Sequence, residues 1–553
     1  MAFEHQLEKL TAKEFSKRTF HEQLAVLQAV EIRDKLDYLI ESHVGRELLA
    51  KLSVQDVYLM VKEIDPNDAS ELANLMSPEH WTGFFDLDCW RGDHFDSVQA
   101  RKWIQLLLKA DVDHIIKSLL GMDFELLILI LKNEIMVPAG PEDLEDDDAQ
   151  LEALHRDGGY QIIYRDEEGT NLFSGLLKMV FEQSADFYRY LLNTLRVETL
   201  SMIEEHVYQQ RTQRMEDIGF CNPLSARQVY ARIDTEAFRK CQHTKETLGL
   251  IDSGTAPSFV LTMAKQSDGL FVEMLQKGLN EDFVWELASL VNKVALADQV
   301  DYGDQGHLRD TISKVYETLN LSLEWLADRD LKLAEQFIAS CYAEELFRVG
   351  FNLTLPLQRR SQKFVECKVY NYLDENKQFF VRGLMRKTPL FYSKGSLSNN
   401  YELRRFQTLD DLEKANARLA SLELLKKLFD GFLFELPDPE FIDLEKCQPD
   451  SPAGIKIDIL FLTALANQLL GRAFLPTPIV KEELPVLHQA VTEQKRIKKG
   501  LIEDVCKWLD GLVPGASAWG EEWLNVWNEE FCPVNPLNLD PRYINGLIVK
   551  IDN

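Results

Sequence analysis

Three groups of side chains in this 553-residue chain have the types and spacing for chemistry. The first is acidic. Asp298, Asp301 and Asp304 recur at every third position, followed by His307 and Asp310. Carboxylates are the ligands that hard cations such as magnesium and calcium take. The spacing is not that of a calcium-binding loop, and Gly303 and Gly306 suit an ordinary turn between helices. A solvated loop and a divalent-cation site are therefore both open readings. A second acidic set, Asp86, Asp88, Cys89, Asp93 and His94, holds one His and one Cys. A transition-metal centre needs several such ligands converging, so a helix-end turn is the plainer expectation.

The second group is basic. Arg359, Arg360, Lys363, Arg382, Arg386, Lys387, Arg404 and Arg405 are interleaved with Phe379, Phe380, Phe391, Tyr392, Tyr401 and Phe406. Arg382, Arg386, Arg404 and Arg405 are candidates for holding an anion, because guanidinium groups bind oxyanions and stack on rings. The alternative is pairing within the molecule, with the long stems packed over a core. The third group is aromatic. Trp519, Trp523 and Trp527 fall at i, i+4 and i+8, and Trp81, Phe84 and Phe85 share one helical face. Each set is either core or a face for a partner, where tryptophan makes a strong anchor.

No nucleophile elbow, phosphate-cradling glycine loop or cysteine in a catalytic context occurs. No catalytic residue and no cofactor is assigned.

The elements that must carry these residues are helices. Residues 53–88 read as three units with a period of twelve. Ser53, Asp65 and Ser77 open the units as helix caps, and Pro66 and Pro78 follow two of them at the first helical position. Apolar residues recur at fixed offsets: Val57, Ala69 and Trp81; Met60, Leu72 and Phe84; Val61, Ala73 and Phe85. The pattern predicts short two-turn helices that are marginal alone and must stack. After a turn at residues 90–95 the period resumes with Asp111 and Asp123.

Four segments are expected: a helical repeat domain over residues 1–137, an acidic linker over 138–171, a central helical domain over 172–350 and a C-terminal helical domain over 351–553. Within the linker, 142–148 is a charge run and 160–164 alternates like a strand, suited to pairing with 135–137 as a small ribbon. Gly219, Asn222 and Pro223 mark a turn between two helices. Residues 389–392 read as an apolar turn. The fold class is all-α and multi-lobed, with at most that one ribbon.

The formal net charge of −29 argues against nucleic acid or an anionic membrane as partner. The N-terminal residues lack a secretory pattern, and the longest apolar run, residues 459–471, is too short to span a bilayer. Eight scattered cysteines without CxxC spacing suggest reduced thiols. The chain is expected to be cytoplasmic.

Residues 41–134, through Asp65, Pro66, Asp68 and the Ala/Leu face that follows, resemble the N-terminal superhelical domain of magnesium-transporter proteins. The cystathionine-synthase-type domains and membrane helices of that family are missing, so the resemblance implies no transport. The whole chain, through residues 213–230, 301–310 and 346–355, resembles an uncharacterised bacterial all-helical family of unknown function. That resemblance implies no activity, cofactor or catalytic residue.

The functional expectation is a non-enzymatic cytoplasmic binding or scaffold protein that uses helical grooves for a protein partner. The alternative is a metal-dependent enzyme or divalent-cation sensor, its site between the central and C-terminal lobes.

Overall fold

Caps decide where the helices begin. The Ser53 hydroxyl accepts the Asp56 N–H at 3.1 Å and starts Val54–Glu63. Ser77 accepts the His80 N–H and, with Pro78 at the first position, starts Pro78–Asp88. Asp96 and Asp123 do the same for Ser97–Leu107 and Phe124–Glu134. Asp111 precedes Val112–Gly121 without a capping bond. The helices are longer than their period suggests: Val54–Glu63 has 10 residues and Pro78–Asp88 has 11, nearer three turns than two. Val57, Met60, Trp81, Phe84 and Phe85 all point into the interior, so the stacking expected of the repeat does occur.

The structure, a computed structural model, describes residues 10–30, 32–64, 68–138, 155–157, 160–245, 256–263, 269–394, 401–439 and 444–551. The cap expected at Asp65 and the charge run at 142–148 lie outside the described residues. Helices dominate, and the sheets have two or three short strands each. The ribbon expected near 135–164 forms: Ile135–Met136 pairs antiparallel with Tyr160–Tyr164, and His155–Asp157 adds a third strand. Further small sheets form where a tight turn returns the chain on itself. Trp90–Arg91 pairs with His94–Phe95 around Gly92, at φ +68°. Leu390–Lys394 pairs with Tyr401–Arg405, so the stretch expected as an apolar turn is a strand.

The chain divides into two compact units, Met1–Gly350 and Phe351–Asn553, and the division falls inside the helix Ala343–Val365. The first unit has one continuous apolar core that includes Phe15, Trp81, Leu127, Phe173, Phe259, Leu287, Leu319 and Phe347. In the second unit, Phe461, Trp523 and Trp527 are among the fully buried side chains. All eight cysteines are free thiols. No helix among the described residues is long and apolar enough to cross a membrane.

Candidate functional site

Two buried carboxylates organise the first unit. Asp88 ends the helix Pro78–Asp88 and accepts from Tyr58 Oη at 2.9 Å, Lys62 Nζ at 2.8 Å, Trp103 Nε1 at 2.9 Å and the Gln99 amide. Burial alone would raise its pKa; these donors outweigh burial and hold it below the usual carboxylate range. Asp86, two residues earlier, takes Arg214 Nε at 2.7 Å and Nη2 at 3.0 Å, while Arg214 Nη1 reaches Asp123 at 2.8 Å. The helix Leu200–Asp217 is thereby clamped against the end of Pro78–Asp88.

That clamp places Arg211. Its Nε donates to the Asp86 carbonyl at 2.7 Å, and its guanidinium carbon lies 5.5 Å from the Trp90 ring centroid. Its two terminal nitrogens have no protein acceptor among the described residues. The Trp90 ring packs on Tyr208 at 5.6 Å and on Phe95 at 5.3 Å. Glu204 pins the hairpin by accepting the Phe95 N–H at 2.7 Å.

These groups line a cavity of about 590 Å³, large enough for a metabolite-sized ligand. One wall is Trp90, Tyr208 and Arg211; another is the turn carrying Phe220 and Cys221; the third is the loop that includes Gln299 and Tyr302. Gly219, at φ +86°, makes the second wall, and Ser289 and Asn292 hold it by donating to the carbonyls of Gly219 and Ile218. Gln299 sits at φ 58°, a left-handed conformation uncommon for a residue with a side chain. Two buried donors of the lining lack an acceptor among the described residues: Trp90 Nε1, in a side chain 6% exposed, and Tyr302 Oη, in one 8% exposed. Cys221 is half-buried, and burial pushes its thiol up.

The residues expected from sequence fall elsewhere or take other roles. Asp298, Asp301 and Asp304 do not converge. Asp298 pairs with Lys314 at 2.6 Å and accepts Tyr230 Oη at 3.0 Å. Asp301 accepts the Gly303 N–H at 2.9 Å, and Asp304 caps the helix Gln305–Leu326 through the His307 N–H at 3.0 Å. Each acid is used locally, and no group of three or more metal-ligating side chains forms among the described residues. Asp301 nevertheless borders the cavity. Of the second acidic set, Asp86 and Asp88 are the paired carboxylates above, while Asp93 and His94 are exposed on the hairpin.

The six aromatic residues expected as a partner face are interior. Trp81, Phe84, Phe85 and Trp527 are fully buried, Trp523 is nearly so, and Trp519 donates from within to the Ser421 carbonyl. Each of these rings is packed among other side chains of its own unit. The four arginines also separate. Arg382 donates to Tyr370 Oη and Gln378, Arg386 lends its carbonyl to Gln358, and Arg405 lends its carbonyl to Arg404. Arg404 alone of the four lines a described cavity, in the second unit.

Sequence reasoning did not single out Trp90, Tyr208 or Arg211 as functional. A signal was present: residues 213–230 and 301–310, which carry the family likeness, supply Phe220, Cys221, Asp301 and Tyr302 to one cavity. A family model described as "Family of unknown function (DUF6178)" matches residues 12–550. No curated protein and no solved structure matches.

Proposed function

We propose a function for this chain, which belongs to that family of unknown function: a cytoplasmic, non-enzymatic binding protein whose first unit holds a small monocarboxylate with an apolar body. The observation that carries the reading is the unpaired Trp90 Nε1 beside the unpaired terminal nitrogens of Arg211 in one cavity. A buried donor without an acceptor costs about 1–3 kcal/mol, which an anionic oxygen placed there offsets. The lining carries Arg91 and Arg211 against Glu216 and Asp301. Equal numbers of each sign suit a single negative charge better than a dianion. Tyr208, Met215, Phe220 and Leu296 supply the apolar surface for the rest of the ligand.

The cavity takes over the binding role that the aromatic faces were expected to fill, since those faces are buried. The test is calorimetric titration of the full chain with 3-phenylpropionate and octanoate. Trp90→Phe keeps an aromatic ring, smaller than the indole, and removes the N–H, and weakens binding about tenfold or more, as loss of one hydrogen bond to a charged acceptor predicts. Arg211→Gln weakens it further. Bound ligand slows alkylation of Cys221, mapped by mass spectrometry, and leaves the exposed Cys241 unaffected. Carboxylates that bind both variants as tightly as the parent chain, or that leave Cys221 unprotected, sink the proposal.

A further inference from the structure

The second unit contains a groove of about 550 Å³ between the helix Ala343–Val365 and the helix Leu409–Gly431, closed on another side by Val513, which follows the helix Lys499–Leu512. All of its lining residues belong to that unit. Four cations, Arg360, Lys363, Lys426 and Lys427, line it with two carboxylates, Glu423 and Asp430, in a chain whose net charge is −29. Arg360 and Glu423 are committed to each other. Arg360 Nε and Nη2 reach the two Glu423 oxygens at 2.9 and 2.8 Å, and Nη1 donates to Asn416. Lys363, Lys426 and Lys427 make no hydrogen bond or ion pair with any described residue. Asp430 makes none either, although it stands four residues after Lys426 and three after Lys427.

Part of this charge has an explanation within one helix. The last turn of Leu409–Gly431 carries the negative end of the helix dipole, and a lysine near it is favourable. Lys363 lies on the other helix and owes nothing to that effect. The groove therefore presents ammonium groups from two sides, Lys363 from one helix and Lys426 with Lys427 from the other. Of its apolar residues, Phe364 and Val513 are buried, while Phe432 is 55% exposed. An ammonium is a point charge without the planar fork that selects a phosphoryl group, and the one guanidinium here is already used. Point charges spread over two helices match two separated anionic groups better than one tetrahedral centre.

We propose that this groove binds a small soluble dicarboxylate whose two carboxylates flank a flat apolar body. Lys363 meets one carboxylate, Lys426 and Lys427 meet the other, and the body lies against the exposed Phe432 ring. The groove is independent of the monocarboxylate cavity, whose lining lies wholly in the first unit.

The full chain is titrated calorimetrically with terephthalate, benzoate and a short peptide of glutamate and phenylalanine at matched ionic strength. The same titrations in the Arg211→Gln variant remove any contribution from the first unit. Terephthalate binds more tightly than benzoate, and its affinity falls as salt is added. Lys363→Ala and Lys427→Ala, both at exposed positions, each weaken terephthalate about fivefold. Lys363→Arg keeps the charge and binds like the parent. Lys414→Ala, on the helix Leu409–Gly431 but outside this groove, also binds like the parent. Unchanged affinity in either alanine variant, terephthalate bound no more tightly than benzoate, or no terephthalate binding at millimolar concentration overturns the proposal. Binding of the peptide without binding of terephthalate also overturns it, since the occupant would then be an acidic protein segment.

Discussion

His80 stands three residues after the Ser77 cap, in the first turn of Pro78–Asp88. In the structure it is 3% exposed. Its Nδ1 accepts the Ser77 N–H at 3.1 Å, completing a capping box in which histidine stands where glutamate or glutamine is usual. Burial, partly opposed by a backbone bond at Leu52, lowers its pKa from 6.5 to about 4. The sign of the consequence follows from proton counting. Between pH 6.5 and about 4 the unfolded chain binds a proton that the folded chain refuses, so stability falls as pH falls across that window and levels off below it. His80→Gln keeps the box and removes the titration. Urea unfolding of the two proteins across the window should give pH slopes that differ by about 1.4 kcal/mol per pH unit at most. Identical slopes would show that His80 takes up its proton in the folded state. At this scale the sequence was readable where bonds are local, as at Ser77. It was silent on Arg211, whose role comes from Asp86 and Trp90 in other elements.

At the scale of elements, the caps recognised along the chain mostly form, but one acid does more than its position suggests. Asp56 sits three residues after the Ser53 cap and accepts from the Ser53 hydroxyl at 2.8 Å. It also receives a distant segment: Ser258 N at 2.8 Å, Ser258 Oγ at 3.0 Å and Phe259 N at 2.7 Å. Lys35, 1% exposed, donates to Ser258 Oγ at 2.8 Å, and burial lowers its pKa against the pull of Asp56. The helices Ile32–Glu41, Val54–Glu63 and Phe259–Thr262 are thus joined through a buried lysine and a buried aspartate, both bonded to one serine. Removing one member leaves the other charge buried and uncompensated. Asp56→Asn is expected to lower stability by about 3–5 kcal/mol, and Lys35→Met by a similar amount. The double variant should lose less than the sum, because the second change removes a charge already unpaired. Chemical denaturation of all four proteins measures the coupling, and strict additivity would refute it.

At the scale of the whole molecule, two units with separate cores are expected to melt as two calorimetric transitions, since each buries its own apolar residues. Phenylpropionate should raise the transition of the first unit and leave that of the second in place. A single transition moved as a whole by the ligand would contradict that assignment. Much of the helical architecture was legible because caps, proline at first helical positions and apolar periodicity are local signals acting within a few residues. The sequence by itself determined the all-α class, the stacked helices of residues 53–88 and the ribbon closing Ile135–Met136 on Tyr160–Tyr164. Only the tertiary structure decided which side chains share a space. Trp90, Arg211, Cys221 and Tyr302 come from separate stretches and meet in one cavity, while Asp298, Asp301 and Asp304 lie close in sequence and turn to different partners. The physical reason is that burial and pairing are set by packing between elements, and a carboxylate or an indole carries no local mark of the neighbour it will find.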